Sequence, residues 1–127
     1  MNLAWFRMGA WALVIVGVGH LGIVFLASLR RPRASQERDA YLRAQVVPVL
    51  GRNCNLRDMY AGFSVVMGLL FMTLGAADLL LGVMVPPSLG WLNLGVSVVL
   101  LGISIRAFPP PPIVVLSVAS VCFGLAL

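Results

Sequence analysis

At 127 residues, with 61% hydrophobic and 10% charged side chains, the chain is too apolar for a water-soluble domain, because about a quarter of average residues are Asp, Glu, Lys or Arg. Its apolar residues come in long unbroken runs, as in an integral membrane protein of one domain. The net charge of +5 rests on nine basic residues, all arginine; no aromatic-interleaved basic fold accompanies them, so they read as determinants of orientation and partners of anionic lipid, not of nucleic acid.

Four runs are long enough to cross about 30 Å of hydrocarbon, which takes roughly 20 residues. They are Leu3 to Leu29, Met59 to Val85, Leu89 to Phe108 and Pro111 to Leu127. The expected fold is therefore all-α, an integral membrane four-helix bundle over 1–127 with an interfacial basic segment at 30–57. The first run is too long for the core of a cleavable signal and its arginines follow it, so it is expected to stay as an anchor. It carries Gly17, Gly19 and the chain's one histidine, His20. Gly19 leaves room for a helix or a ligand beside the imidazole.

Between the first two runs lie Arg30, Arg31, Arg33, Arg38, Arg43, Arg52 and Arg57, and Arg106 closes the third run on the same side. The positive-inside rule makes that side cytoplasmic and puts both termini on the other. The localisation expected is the bacterial cytoplasmic membrane. Within the segment, Ser35 is placed to cap a short helix, Glu37 to sit in its first turn, and Pro48 to end it. Tyr41, Leu42 and Leu50 give it an apolar side for the membrane surface. Cys54 and Cys122 fall in separate regions, one of them reducing, which argues against a disulfide.

The VPPS connection at 85–88 predicts an antiparallel hairpin of the second and third runs. Ala61, Gly68, Gly75 and Gly82 on one, and Ser88, Gly95 and Gly102 on the other, recur every seven residues. That is the left-handed coiled-coil period, so these two helices are expected to pack along it. The prolines of FPPPP, 108–112, predict a stiff turn before the last run.

Ionisable groups at membrane depth are costly and need partners, so they sort into layers. Arg7, Asp78 and Asn93 form an outer one, with an Arg7–Asp78 ion pair expected to dock the first two helices. His20, Asp58, Tyr60 and Ser64, with Ser104 as a further candidate, form an inner one. Histidine titrates near neutrality, a carboxylate can take its proton and tyrosine can donate to a developing oxyanion. His20, Asp58 and Tyr60 are thus the candidate catalytic set, with Ser64, Gly19 and Asn93 as candidate ligand contacts. One histidine and two separated cysteines cannot close a metal site or a bis-histidine haem site in one chain, and no cofactor is expected.

The run LRDMYAGFSVVMG, 56–68, together with Gly19-His20 and Gly51, resembles a group of small bacterial membrane proteins with four spans. These share a Gly-His in the first helix, a glycine in the following segment, and an aspartate, an aromatic and Gly-Phe opening the second helix. Asp58, Tyr60 and Gly62-Phe63 occupy those last places; Arg57 stands where an aromatic is common and Ser64 where glycine is common. The resemblance implies the fold and the choice of His20, Asp58 and Tyr60, and no activity.

Three functions are compatible with these residues. The first is an intramembrane site that binds a lipophilic small molecule, or isomerises or cyclises it by acid and base groups. The second is a homodimeric small transporter, for which His20 or Asp78 would replace the first-helix glutamate of four-helix exporters. The third is an assembly subunit whose small-residue stripes dock another membrane protein.

Overall fold

The computed structural model describes residues 1–29, 33–49, 51–81, 84–107 and 110–127. The chain is mainly helical, with helices α1 (Leu3–Leu29), α2 (Arg33–Ala44), α3 (Leu56–Leu80), α4 (Pro87–Ala107) and α5 (Pro110–Ala126), and a hairpin of β1 (Val46–Val49) and β2 (Arg52–Asn55) between α2 and α3. Helices α1, α3 and α4 are long and apolar enough to cross a membrane, and α5 is apolar and shorter. Their outward faces carry large apolar side chains, among them Trp11, Phe25, Phe63, Leu80 and Trp91, all more than half exposed. A surface of that kind suits acyl chains and not water. Hydroxyls on these helices satisfy themselves locally: Thr73, Ser117 and Ser120 each donate to the carbonyl four residues earlier.

Helix α1 packs on both α3 and α5, α4 packs on α5, and a side-chain hydrogen bond joins α4 to α3. Small residues let α1 and α3 meet backbone to backbone. A methyl group added at Gly17 would lie 2.5 Å from the Met72 nitrogen and 2.7 Å from the Gly68 carbonyl oxygen; one at Gly75 would lie 2.5 Å from the Ala10 carbonyl oxygen. These contacts pair the end of one helix with the start of the other, so α1 and α3 are antiparallel. On its other side α1 meets α5 through Phe6, whose ring packs edge-on against Phe123 with centroids 5.5 Å apart, and through Gly9, which makes space for the same ring. The Asn2 N–H donates to the Ala126 carbonyl at 2.6 Å. Phe6, Leu13, Leu116, Ala119 and Phe123 are the centre of the core.

The expected pairing of α3 with α4 along glycine stripes is corrected by this arrangement. Gly68 and Gly75 do form a packing stripe, but its partner is α1. Gly95 and Gly102 have nothing within 4 Å of an added methyl, and Ser88 is exposed. Helix α4 instead turns Gly90, Asn93, Ser97 and Ser104 inward. These share a face at three-, four- and seven-residue spacing, and polar groups in an apolar bundle lose most by facing lipid. Gly82 lies outside the described residues.

The basic segment also differs from expectation. Helix α2 begins at Arg33, so Ser35 and Glu37 lie inside it and no acid occupies its first turn. It ends at Ala44, four residues before Pro48, because Val46 and Val47 open an extended strand. Pro48 sits within that strand, opposite Asn53. The turn uses Gly51, whose φ of 78° is left-handed and open to glycine at little cost. Of the expected apolar side, Tyr41 is exposed and Leu42 half-buried, and Leu50 is outside the described residues. Arg30 and Arg31 are outside them as well. Cys54 and Cys122 are both free.

The stripe can be tested by substitution. Gly75→Ala should destabilise the fold by about 1–3 kcal/mol, because the clash is with rigid backbone. Gly95→Ala, into open space, should leave stability unchanged or slightly raised. Thermal unfolding of both variants in detergent micelles checks the contrast.

Candidate functional site

Beyond their contact at Gly17 and Gly68, toward the end of α1, helices α1 and α3 border a gap. The gap is flanked by α2 and forms an open cleft of about 540 Å³. Its apolar part is Val24, Ala27, Leu42 and Ala61; its polar part is Ser28, Ser35, Arg38, Asp39, Arg57, Tyr60 and Ser64. Arg57 holds α2 against α3 through Asp39, Nε to Oδ2 at 3.7 Å, and its Nη1 also donates to Asp58 at 3.2 Å. Arg38 makes no ion pair among the described residues. The cleft thus has an apolar wall on the spanning helices and a charged, hydroxyl-bearing rim on α2 and the first turn of α3.

The predicted catalytic set is not gathered here. Tyr60 and Ser64, four apart and on one face of α3, both line the cleft. Asp58 does not. It is exposed and closes the N-terminus of α3: Asn55 Oδ1 accepts from the Asp58 N–H at 2.8 Å and Asn55 Nδ2 donates to Asp58 Oδ2 at 2.9 Å. That reciprocal pair satisfies one of the free donors of the first turn and places a negative charge at the positive end of the helix dipole. His20 is half-buried, seven residues from Leu13 on the core side of α1, with its Nε2 enclosed and without a hydrogen-bond partner. No hydrogen bond joins it to Asp58 or Tyr60. Gly19 faces open space.

At the other end of α3, Asp78 is buried and its Oδ2 accepts from Asn93 Nδ2 at 2.8 Å, linking α3 to α4. The expected ion pair with Arg7 is not formed. Both ion pairs among the described residues involve Arg57, and Arg7 is exposed while Asp78 turns toward α4. Ser97, one turn from Asn93 and fully buried, belongs to the same cluster. Among the described residues no three His, Cys, Asp or Glu side chains gather as metal ligands.

Sequence reasoning missed Arg38, Asp39 and Arg57 as cleft residues because the arginines were read for topology alone. The available signal was the Arg-Asp pair that occurs twice, at 38–39 and 57–58, once on each flank of the hairpin. Ser97 was legible as the polar residue one turn beyond Asn93. The Asn55-x-x-Asp58 spacing was legible as a helix cap.

No family model, curated protein or solved structure matches the chain.

The capping role is open to a direct check. Asn55→Ala should cost about 0.5–2 kcal/mol, the usual loss for a capping side chain. Asp58→Ala should cost less, because the cap N–H bond from Asn55 Oδ1 persists. Thermal unfolding of the two variants measures both.

Proposed function

We propose that the chain is a multi-pass protein of the bacterial cytoplasmic membrane, a four-helix bundle with α5 as its fourth span, whose cleft binds an amphiphile with an anionic head. The cleft between α1, α2 and α3 is the observation that carries this. An alkyl portion would lie along Val24, Ala27 and Ala61, and the head would meet Arg38, Arg57 and the hydroxyls of Ser28, Ser35, Tyr60 and Ser64. Arginine suits such a head because its planar fork matches carboxylate and phosphate oxygens. Arg57 is shared by Asp39 and Asp58, whereas Arg38 makes no ion pair among the described residues and is open to an anionic head.

The membrane orientation has its own support. Arg33, Arg38, Arg43, Arg52 and Arg57 lie at the end of the bundle where α1 finishes and α3 begins. Helix α4 runs parallel to α1, since both are antiparallel to α5, so Arg106 in its last turn lies at that end too. Arg7 lies at the other. By the positive-inside rule the cleft opens to the cytoplasmic leaflet. Binding is proposed in preference to conversion, because neither His20 nor Asp58 lines the cleft. The four-span bacterial group with Gly-His in its first helix is the family we propose for it.

A photoreactive alkyl phosphate, added to the full chain in nanodiscs of zwitterionic lipid, tests the proposal. Labelling should concentrate on Val24, Ala27, Tyr60 and Ala61, and Arg38→Gln should weaken it about tenfold, the worth of one charge-assisted contact. An alkyltrimethylammonium probe should label the cleft poorly. Labelling spread evenly over the apolar surface, unaffected by Arg38→Gln, would reject a site.

A further inference from the structure

The cluster of Asp78, Asn93 and Ser97 lies at the end of α3 remote from the cleft and takes no part in it. The three residues are 3%, 1% and 0% exposed. Asn93 Oδ1 and Ser97 Oγ are enclosed and have no hydrogen-bond partner. Ser97 stands apart from Ser117 and Ser120, whose hydroxyls fold back onto their own helix. Asn93 and Ser97 are four residues apart, so their side chains share one face of α4. The bond from Asn93 Nδ2 holds the Asp78 carboxyl against that same face.

An amide oxygen, a hydroxyl oxygen and a carboxyl group are therefore enclosed together at one face of α4, and the carboxyl, when ionised, brings one negative charge. Few groups nearby could neutralise it. On α1 there is Arg7, exposed and unpaired with Asp78, and the Met1 amino group lies at the same end. On α5 there is the buried Cys122 thiol. Helix α4 has Arg106 and α3 has Asp58, both at their far ends. Buried charge persists when it is paired or bound to a cation, and hard cations choose oxygen donors.

We propose that Asp78, Asn93 and Ser97 form a binding site for one small monovalent cation, either a sodium ion or a proton held on the Asp78 carboxyl. Asp78 supplies the charge, Asn93 Oδ1 and Ser97 Oγ the neutral donors. The bond from Asn93 Nδ2 positions the carboxyl and leaves its other oxygen for the cation.

The full chain in nanodiscs of zwitterionic lipid, unfolded thermally and followed by circular dichroism, tests this in two arms. A cation bound only by the folded state raises Tm as its concentration rises. In the sodium arm, sodium chloride replaces choline chloride at constant ionic strength and pH. In the proton arm, pH is lowered from alkaline to mildly acidic in choline alone. The expected result is a saturable rise of several degrees in one arm, absent from Asp78→Asn, with the midpoint for Ser97→Ala moved several-fold to higher cation concentration. If Asp78→Asn does not fold, the Ser97→Ala midpoint decides. The proposal is overturned if the wild-type protein and Asp78→Asn respond alike in both arms, or if Ser97→Ala leaves the midpoint where it was.

Discussion

The close approach of α1 and α3 at Gly17, Gly68 and Gly75 is the constraint on which the other positions depend. Apolar helices gain nothing from leaving one apolar surrounding for another, so their association rests on dispersion and on how near two backbones can come. Glycine permits that nearness only where a methyl would collide, and here it collides with carbonyl oxygens and a backbone nitrogen. With α3 fixed on one flank, α1 offers Phe6 and Gly9 to Phe123 on the other, and α5 carries α4 in turn. The contact is also local. Beyond Gly17 on α1 and before Gly68 on α3 the two helices border the cleft through Val24, Ala27, Ser28, Ala61 and Ser64, and α2 flanks it.

The two ends of the bundle handle polar groups in opposite ways. At the cleft end the charges stand at the rim, where Arg57 links Asp39 and Asp58 and water can reach all three. Exposed pairs of this kind contribute little stability, about 0–1 kcal/mol. Their effect is positional, since they hold α2 over the gap. At the other end Asp78, Asn93 and Ser97 are closed off between helices, where each unmade hydrogen bond is expensive.

Much of this was legible in the amino-acid sequence, and what was not has physical causes. The bounds of α1 follow from an uninterrupted apolar run ending at arginine, and the structure places them at the same residues. The stripe on α3 was legible, but not its partner, because glycine spacing reports the ability to approach and not the helix approached. On α4 the same spacing pointed to the face that stays open, while Asn93, Ser97 and Ser104 marked the buried one. Polarity is the better guide inside an apolar solvent, where a glycine facing lipid loses little and an amide facing lipid loses much. The hairpin was hidden by Pro48, which reads as a helix terminator and is equally at home in an edge strand. Tyr60 and Ser64 stand among the inner-layer candidates of the sequence and both line the cleft, whereas the spacing of Asp58 from Asn55 marks a cap.

The start of α5 has a consequence for depth. Pro110, Pro111 and Pro112 form its first turn, and proline has no N–H, so this helix opens without the free donors that ordinarily oblige a helix end to meet water. The register set by Phe6 with Phe123 and by Asn2 with Ala126, carried along the antiparallel pair at equal rise, brings that turn level with Val16 to Gly19, well short of where α1 finishes. The proline run lets a helix begin beside the middle of its neighbour without leaving amide hydrogens that ask for water.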